Sequence, residues 1–187
     1  MRIVSGKFKG KKLDYPIDKN IRPLKDMTKE SIFNLLLHSK SMQFGFDELE
    51  VLDLFSGSGS FGIECISRNV KSVTFVENYT PALKVLEKNI QSLKLKNKHK
   101  IIEDNIFNLN NHSDINKNYD LIFADPPYKE ERIDELLSII FEMNYLKKKG
   151  LLILHRNKAG KEISHSKFNI VDTRIYGISK IIFLKLK

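Results

Sequence analysis

The most constraining stretch of the chain is an apolar run, Leu49 to Phe55, that leads straight into Ser56-Gly57-Ser58-Gly59-Ser60-Phe61-Gly62. A short apolar run ending in glycines reads as a buried strand. The glycines permit a tight turn into the helix expected from about Phe61 to Arg68. The alternation then repeats: a strand over Ser72–Glu77, a helix from Thr80 to about Leu95, and strands over Lys100–Glu103 and Tyr119–Asp125. A helix over Ile133–Met143 and a strand over Gly150–Arg156 follow, and Thr80-Pro81 forms a natural N-cap and first-turn pair. Phe168–Arg174 and Ile178–Lys185 alternate around Gly177 as an antiparallel hairpin. This order predicts an α/β fold, a mostly parallel seven-stranded sheet with helices on both faces and a C-terminal antiparallel hairpin. Ligands of such sheets bind outside the carboxyl ends of the strands, near the switch in strand order.

Ahead of this core, Arg2–Leu13 alternates basic and apolar residues around Gly6 and Gly10, which predicts a small hairpin with a basic face. A turn from Pro16 to Pro23 leads to a helix over Met27–Ser39, with Ile32, Phe33, Leu35, Leu36 and Leu37 on helical spacing and Asp26 or Thr28 as its cap. The 187 residues read as one domain, an N-terminal extension over 1–25 and the α/β core over 26–187, without internal repeats. Hydrophobic residues at 41% are enough for a real core and too many for a disordered chain. No apolar run approaches the roughly 18 to 20 residues that span a bilayer, and the N-terminus lacks a signal peptide's apolar centre. A cytoplasmic protein without a membrane partner is expected. The single cysteine, Cys65, rules out an internal disulfide and reads as a buried structural thiol. His38, His99, His112 and His165 show no metal-ligand spacing, so no metal is expected. Lys and Arg total 32 against 23 Asp and Glu, a net charge of +9 that favours an anionic partner such as nucleic acid. The plainer alternative is that lysine merely solubilises the surface.

Four strand ends carry carboxylates. Asp53 stands four residues before Gly57. A carboxylate there repels a pyrophosphate but suits the ammonium of an amino-acid-bearing cofactor. Gly57 and Gly59, with Phe55 beside them, let the backbone approach a ligand, although such turns also form without one. Glu77, 18 residues beyond Gly59 and followed by Asn78, can accept the ribose hydroxyls of an adenosine, in a dinucleotide or in S-adenosylmethionine. Asp104-Asn105-Ile106 could take the adenine amino group and face the ring, although Asp-Asn is equally an ordinary turn.

The most specific motif is Asp125-Pro126-Pro127-Tyr128, directly after Leu121-Ile122-Phe123-Ala124. Two prolines fix the backbone and remove two N–H donors. They leave the Asp125 carboxylate and the Pro126 carbonyl as acceptors facing one point, suited to the two hydrogens of an NH₂ group. Tyr128 can stack on the base that carries it. An aryl amine is a weak nucleophile because its lone pair is delocalised. Holding both hydrogens lets the nitrogen pyramidalise and aim that pair at a methyl sulfonium, with Asp125 the nearest acceptor for the proton. Asp125, Pro126, Pro127 and Tyr128 are therefore the candidate catalytic residues, and S-adenosyl-L-methionine the expected cofactor.

In order and spacing, Asp53–Gly62, Glu77, Asp104 and Asp125–Tyr128 resemble the motifs of Rossmann-like (class I) methyltransferases acting on amino nitrogens. The N-terminal text narrows this. Arg2-Ile3-Val4-Ser5-Gly6-Lys7-Phe8-Lys9-Gly10, Arg22-Pro23-Leu24-Lys25-Asp26 and Ser31-Ile32-Phe33-Asn34 resemble the RsmD family of bacterial 16S rRNA guanine-N2 methyltransferases. The resemblance covers nearly the whole chain. It implies 16S rRNA or the small ribosomal subunit as partner, methylation of a guanine's exocyclic amine, and an Arg22–Asp26 segment that helps close over cofactor and base. The chain departs from the family at Leu24, where threonine is expected, and at Met27, where arginine often stands. It departs again at Leu154, where a glutamate commonly precedes histidine.

On the RNA side, Arg2, Lys7, Lys9, Lys11 and Lys12 could grip phosphates, with Phe8 stacking on a base or packing down. Arg22 and Arg156 join them as candidates. His155 could assist proton removal, contact RNA, or be satisfied by its neighbours. Lys94–Lys100 and Lys147–Lys149 read as solvated faces. A monomer is expected. Three other functions compete: an adenine-N6 methyltransferase of RNA or DNA, a protein-glutamine methyltransferase, and a binding-only rRNA assembly factor. The first is chemically equal at Asp125, but 187 residues leave no separate DNA-recognition domain. The second more often has asparagine at position 125. Intact Asp53, Gly57, Gly59 and Asp125 argue against the third.

Overall fold

The computed structural model describes residues 1–16, 24–39, 45–95, 97–111, 115 and 118–187. Its elements are α1 (Asp26–His38), β1 (Glu50–Leu54), α2 (Ser60–Ser67), β2 (Ser72–Glu77), α3 (Thr80–Ser92) and β3 (His99–Glu103). After a 3₁₀ turn (Ile106–Asn111) come β4 (Tyr119–Ala124), α4 (Ile133–Glu142), β5 (Leu146–Asn157), β6 (Phe168–Tyr176) and β7 (Ser179–Leu186). The strands form one sheet in the order β3-β2-β1-β4-β5-β7-β6. The first five are mutually parallel, and β7 runs antiparallel between β5 and β6. The expected α/β sheet with a closing hairpin is the one that forms. The chain enters at β1, works outward to β3 and returns across to β4. The switch point therefore lies between β1 and β4, where ligand sites of such sheets open.

Central strands covered on both faces must be apolar throughout, with alternate residues serving opposite layers. Val51, Val73, Phe75, Leu121, Phe123, Leu151 and Ile153 pack with Ile32 and Phe33 of α1, Phe61 and Ile63 of α2, and Leu86 of α3. Leu52, Leu54, Val76, Ile122, Leu152 and Leu154 face the other way, onto Leu136, Leu137 and Ile140 of α4. On the first face Phe33 stacks on Phe61 at 5.0 Å, and Phe61 stacks on Phe123 at 4.0 Å, tying α1 and α2 to β4. Cys65 is buried there, and burial pushes its thiol well above the ordinary range, so it packs rather than reacts. No helix among the described residues is long and apolar enough to cross a membrane.

Most element limits fall within two or three residues of expectation, but β5 starts at Leu146 rather than Gly150. Lys147 there is not merely solvated, since its ammonium lies 2.8 Å from Asp120 and 3.5 Å from Glu50. The expected caps also differ. Lys25 and Tyr79 hold the N-cap positions of α1 and α3 without side-chain cap bonds, and Asp26 and Thr80 already belong to the first turns.

The hairpin expected over Arg2–Leu13 is instead a loop closed by a single antiparallel bridge, Arg2 to Lys12. Ile3 N–H donates to the Lys11 carbonyl (3.0 Å) and Leu13 N–H to that of Met1 (3.1 Å), while both apolar side chains bury. The loop docks on α2. Glu64 accepts from the amides of Val4 (2.8 Å) and Ser5 (3.0 Å), and the Ser67 hydroxyl accepts from that of Phe8 (2.9 Å). Lys7 N–H donates to the Ser67 carbonyl at 2.7 Å. With four of its backbone donors, those of Val4, Ser5, Lys7 and Phe8, satisfied by α2, the segment needs no second strand. Gly6 sits at the tip with φ of 79°, and a Cβ there would lie 1.9 Å from the Ser67 carbonyl oxygen. Gly6→Ala is expected to destabilise the protein by about 1–3 kcal/mol, from left-handed strain and forced displacement of the loop. A urea midpoint equal to that of the parent would mean that the loop does not dock on α2 in solution.

Candidate active site

The glycine turn joins β1 to α2 at the switch point. Phe55 opens it in the left-handed region (φ 54°), a conformation that costs a bulky residue on the order of 1–3 kcal/mol and redirects its ring. Gly59, at φ 78°, packs so closely on α3 that a Cβ would lie 2.4 Å from Leu86. Asp53 is 1% exposed and accepts the Gly62 N–H at 2.9 Å, at the start of α2, where helix amides favour an anion. Burial nonetheless drives its carboxyl well above the usual range. The Gly62 amide opposes that rise, and the charges of Asp125 and Glu77 add to it. The charges at the ends of β2 and β4 thus reach the carboxyl on β1.

Glu77 is held by backbone amides, with Oε2 accepting from Gly57 (2.7 Å) and Oε1 from Asn78 (3.0 Å) and Tyr79 (2.9 Å). An ionised carboxylate offers about four acceptor directions, so this geometry leaves room for about one further hydroxyl. Glu77 lines a crevice with Phe55, Val76, Asn78, Asp104, Asn105 and Ile106. Six of the nine residues expected to hold a cofactor therefore share one wall, and Val76 joins them. The other three, Asp53, Gly57 and Gly59, shape the adjoining turn. Asp104 Oδ1 accepts the N–H of Asn105 (2.5 Å), and Asn105 Oδ1 that of Phe107 (3.1 Å), which fixes the β3 exit as a turn.

Across the switch point, Asp125 N–H donates to the Leu54 carbonyl at 3.2 Å, which registers the Asp125–Tyr128 segment against β1. Asp125 Oδ1 lies 2.7 Å from His155 Nδ1, and the carboxylate side chain is 20% exposed against 8% for the imidazole. Tyr128 Oη is 3.4 Å from His155 Nε2 and 3.3 Å from the Ser179 hydroxyl. The Tyr128 and His155 rings meet edge to face at 5.9 Å. His155 is thus satisfied by two side chains of the Asp125 segment, through a contact that no local pattern announces.

The basic candidates do not all gather here. The loop carrying Lys7 and Lys9 docks its tip on the last turn of α2, which leads to the amino ends of the strands, away from Asp125. The Arg2 guanidinium lies 3.9 Å from Asp26, and Lys11 pairs its backbone with Ile3. Arg156 follows His155 on β5, but its guanidinium donates to the Lys161 carbonyl at 3.2 Å. Arg22 lies outside the described residues, as does His112. Phe8 is partly buried against the core, which favours packing. Among the described residues no group of His, Cys, Asp or Glu is placed to hold a metal ion.

Residues 1–185 match the protein family described as Conserved hypothetical protein 95. A curated relative from Haemophilus influenzae, Ribosomal RNA small subunit methyltransferase D, is 30% identical over 179 residues, covering 95% of this chain and 90% of its own. A protein of the same name from Buchnera aphidicola is 33% identical over 156 residues, covering 83% and 76%. A solved structure from Haemophilus influenzae, described as a methylase, is 27% identical with a TM-score of 0.76, covering 100% of this chain and 98% of that one.

Proposed function

The chain belongs to the Conserved hypothetical protein 95 family, and on that premise we propose that it is an S-adenosylmethionine-dependent methyltransferase acting on the exocyclic N2 amine of a guanine in small-subunit (16S) rRNA. The observation that carries the reading is Asp125-Pro126-Pro127-Tyr128 at the carboxyl end of β4, set across the switch point from a crevice of adenosine-binding character. The names of the curated relatives support an rRNA substrate.

The residues present fit the cofactor. Phe55, Val76 and Ile106 give the crevice apolar walls for an adenine, Glu77 an acceptor for a ribose hydroxyl, and Asp104 an acceptor at the β3 exit. The carboxylates of Glu77 and Asp125, whose charges reach the buried Asp53 carboxyl, suit a ligand carrying positive charge better than a pyrophosphate. When bound, S-adenosylmethionine supplies a methyl group on a positively charged sulfur. Asp125 and the Pro126 carbonyl hold the two hydrogens of the target amine, which localises the nitrogen lone pair and points it away from the ring plane. Tyr128 offers a face for the base, and Asp125 accepts the proton that the amine loses.

Methyl transfer from labelled cofactor to unmodified small subunits and to naked RNA, followed by nucleoside analysis, tests the reading. N2-methylguanosine is the expected product. N6-methyladenosine would keep the chemistry and overturn the substrate. Cofactor binding without product on either substrate would point to an assembly factor.

A further inference from the structure

We propose that His155 is a positioning residue for this reaction, holding the Asp125 carboxylate with one ring nitrogen and the Tyr128 hydroxyl with the other. The inference rests on the reading of Asp125 and Tyr128 given above. A carboxylate that must share an amine's two hydrogens with the Pro126 carbonyl cannot be free to rotate, so one of its oxygens has to be fixed from behind. His155 does this with a 2.7 Å contact from Nδ1 to Oδ1, a length typical of bonds that involve an ionised group. A proton must lie between those atoms, because two lone pairs would repel at that distance.

Placing that proton on Nδ1 makes Nε2 an acceptor, since a neutral imidazole has one of each. The Tyr128 hydroxyl, 3.4 Å away, then donates to Nε2, and the Ser179 hydroxyl, 3.3 Å further, donates to Tyr128. All donors then point one way, from Ser179 through Tyr128 and His155 to the carboxylate, an order in which each bond polarises the next. The outer links are longer than the inner one, and catalytic hydrogen bonds often tighten only with substrate bound. His155 sits behind Asp125 on β5, buried to 6% exposure, and its contacts are to residues rather than to the open site. It orients the groups that meet the base, and β7 contributes through Ser179.

Two substitutions separate its two contacts. In His155→Asn the amide nitrogen replaces Nδ1, which keeps the donor to Asp125 and loses Tyr128. In His155→Gln the side chain reaches the position of Nε2, which keeps Tyr128 and loses the donor to Asp125. His155→Gln is expected to lower kcat by about 10- to 100-fold with the KM for RNA near that of the parent. His155→Asn is expected to keep most of kcat and to raise the KM for RNA. Both should bind S-adenosylmethionine like the parent. Independently of turnover, nitrogen NMR of the parent at a pH where the ring is neutral should show His155 protonated at Nδ1. A ring protonated at Nε2, or equal loss of kcat in the two variants, would overturn the proposal. So would parental kinetics in both. If the parent protein gives no methylated guanosine while His155 shows the Nδ1 proton, the substrate reading fails and the hydrogen-bond chain stands.

Discussion

Asp125→Ala is expected to lower kcat for RNA methylation by about 10³-fold while leaving S-adenosylmethionine bound, because the proposed role of the residue is on the amine and not on the cofactor. In the proposed mechanism it supplies one of two acceptors for the amine hydrogens and the nearest acceptor for the departing proton. The crevice proposed for the adenosine is lined instead by residues from the ends of β1, β2 and β3. The charge of Asp125 also helps hold the Asp53 carboxyl above its usual range, after the larger effect of burial. A cationic cofactor favours ionised Asp53, so its affinity should rise with pH as that carboxyl loses its proton. In Asp125→Ala the rise should come at lower pH, because one repelling charge is gone. Asp53→Ala is the contrasting variant, expected to weaken cofactor binding and to release the Gly62 amide at the start of α2. Calorimetric titration with S-adenosylmethionine, beside steady-state kinetics, separates the two. Equal loss of cofactor affinity in both variants would overturn the division of roles.

The positions of the strands along the chain and their ends were legible because buried parallel strands leave little choice of residue. Leu151, Leu152, Ile153 and Leu154 must be apolar, so Asp53, Glu77, Asp104 and Asp125 stand out at the exits. The mode of docking of the N-terminal loop was not legible, because its partners Glu64 and Ser67 lie about 60 residues away in sequence. Two local signals did point there. Glu64 interrupts the apolar run Phe61-Gly62-Ile63-Glu64-Cys65-Ile66, and Lys29 falls on the stripe of Ile32, Phe33 and Leu36. A charged residue on a core-facing position announces a buried partner without naming it. The same holds for His155, whose partners at Asp125 and Tyr128 are set by the pairing of β4 with β5, and for Ser179, placed by the pairing of β5 with β7. The β5 start was misplaced because three consecutive lysines read as solvated. The Lys147 contacts with Asp120 and Glu50 depend on sheet order that only the fold supplies.

Glu64→Ala should be the most destabilising single change outside the apolar core, by about 3–5 kcal/mol, because it strands buried cations rather than merely deleting a contact. Glu64 is fully buried, and so is Lys29, whose ammonium lies 3.8 Å from it. Arg68 reaches Glu64 at 3.0 Å with its own side chain only 9% exposed. Burial pulls the Lys29 amine below its ordinary range, and Glu64 is the strongest influence opposing that. Removing the carboxylate leaves Lys29 and Arg68 facing each other, with the more exposed Asp26 carboxylate, 3.9 Å from the Lys29 ammonium, the remaining counter-charge, and orphans the Val4 and Ser5 amides. The loss is a large share of the roughly 5–15 kcal/mol that holds a domain together. It should also reach the site, since Lys29 donates to the Ser60 hydroxyl at 3.1 Å and to the Arg2 carbonyl at 2.8 Å. Ser60 opens α2 directly after the glycine turn, so Glu64→Ala should weaken cofactor binding even at temperatures where the protein stays folded. Combined with Gly6→Ala, its effect on the urea midpoint should be less than additive, because both changes free the same loop. A loss below about 1 kcal/mol, the scale of an exposed ion pair, would mean that Ile3 and Leu13 dock the loop by apolar contact alone and that the buried charges are incidental to it.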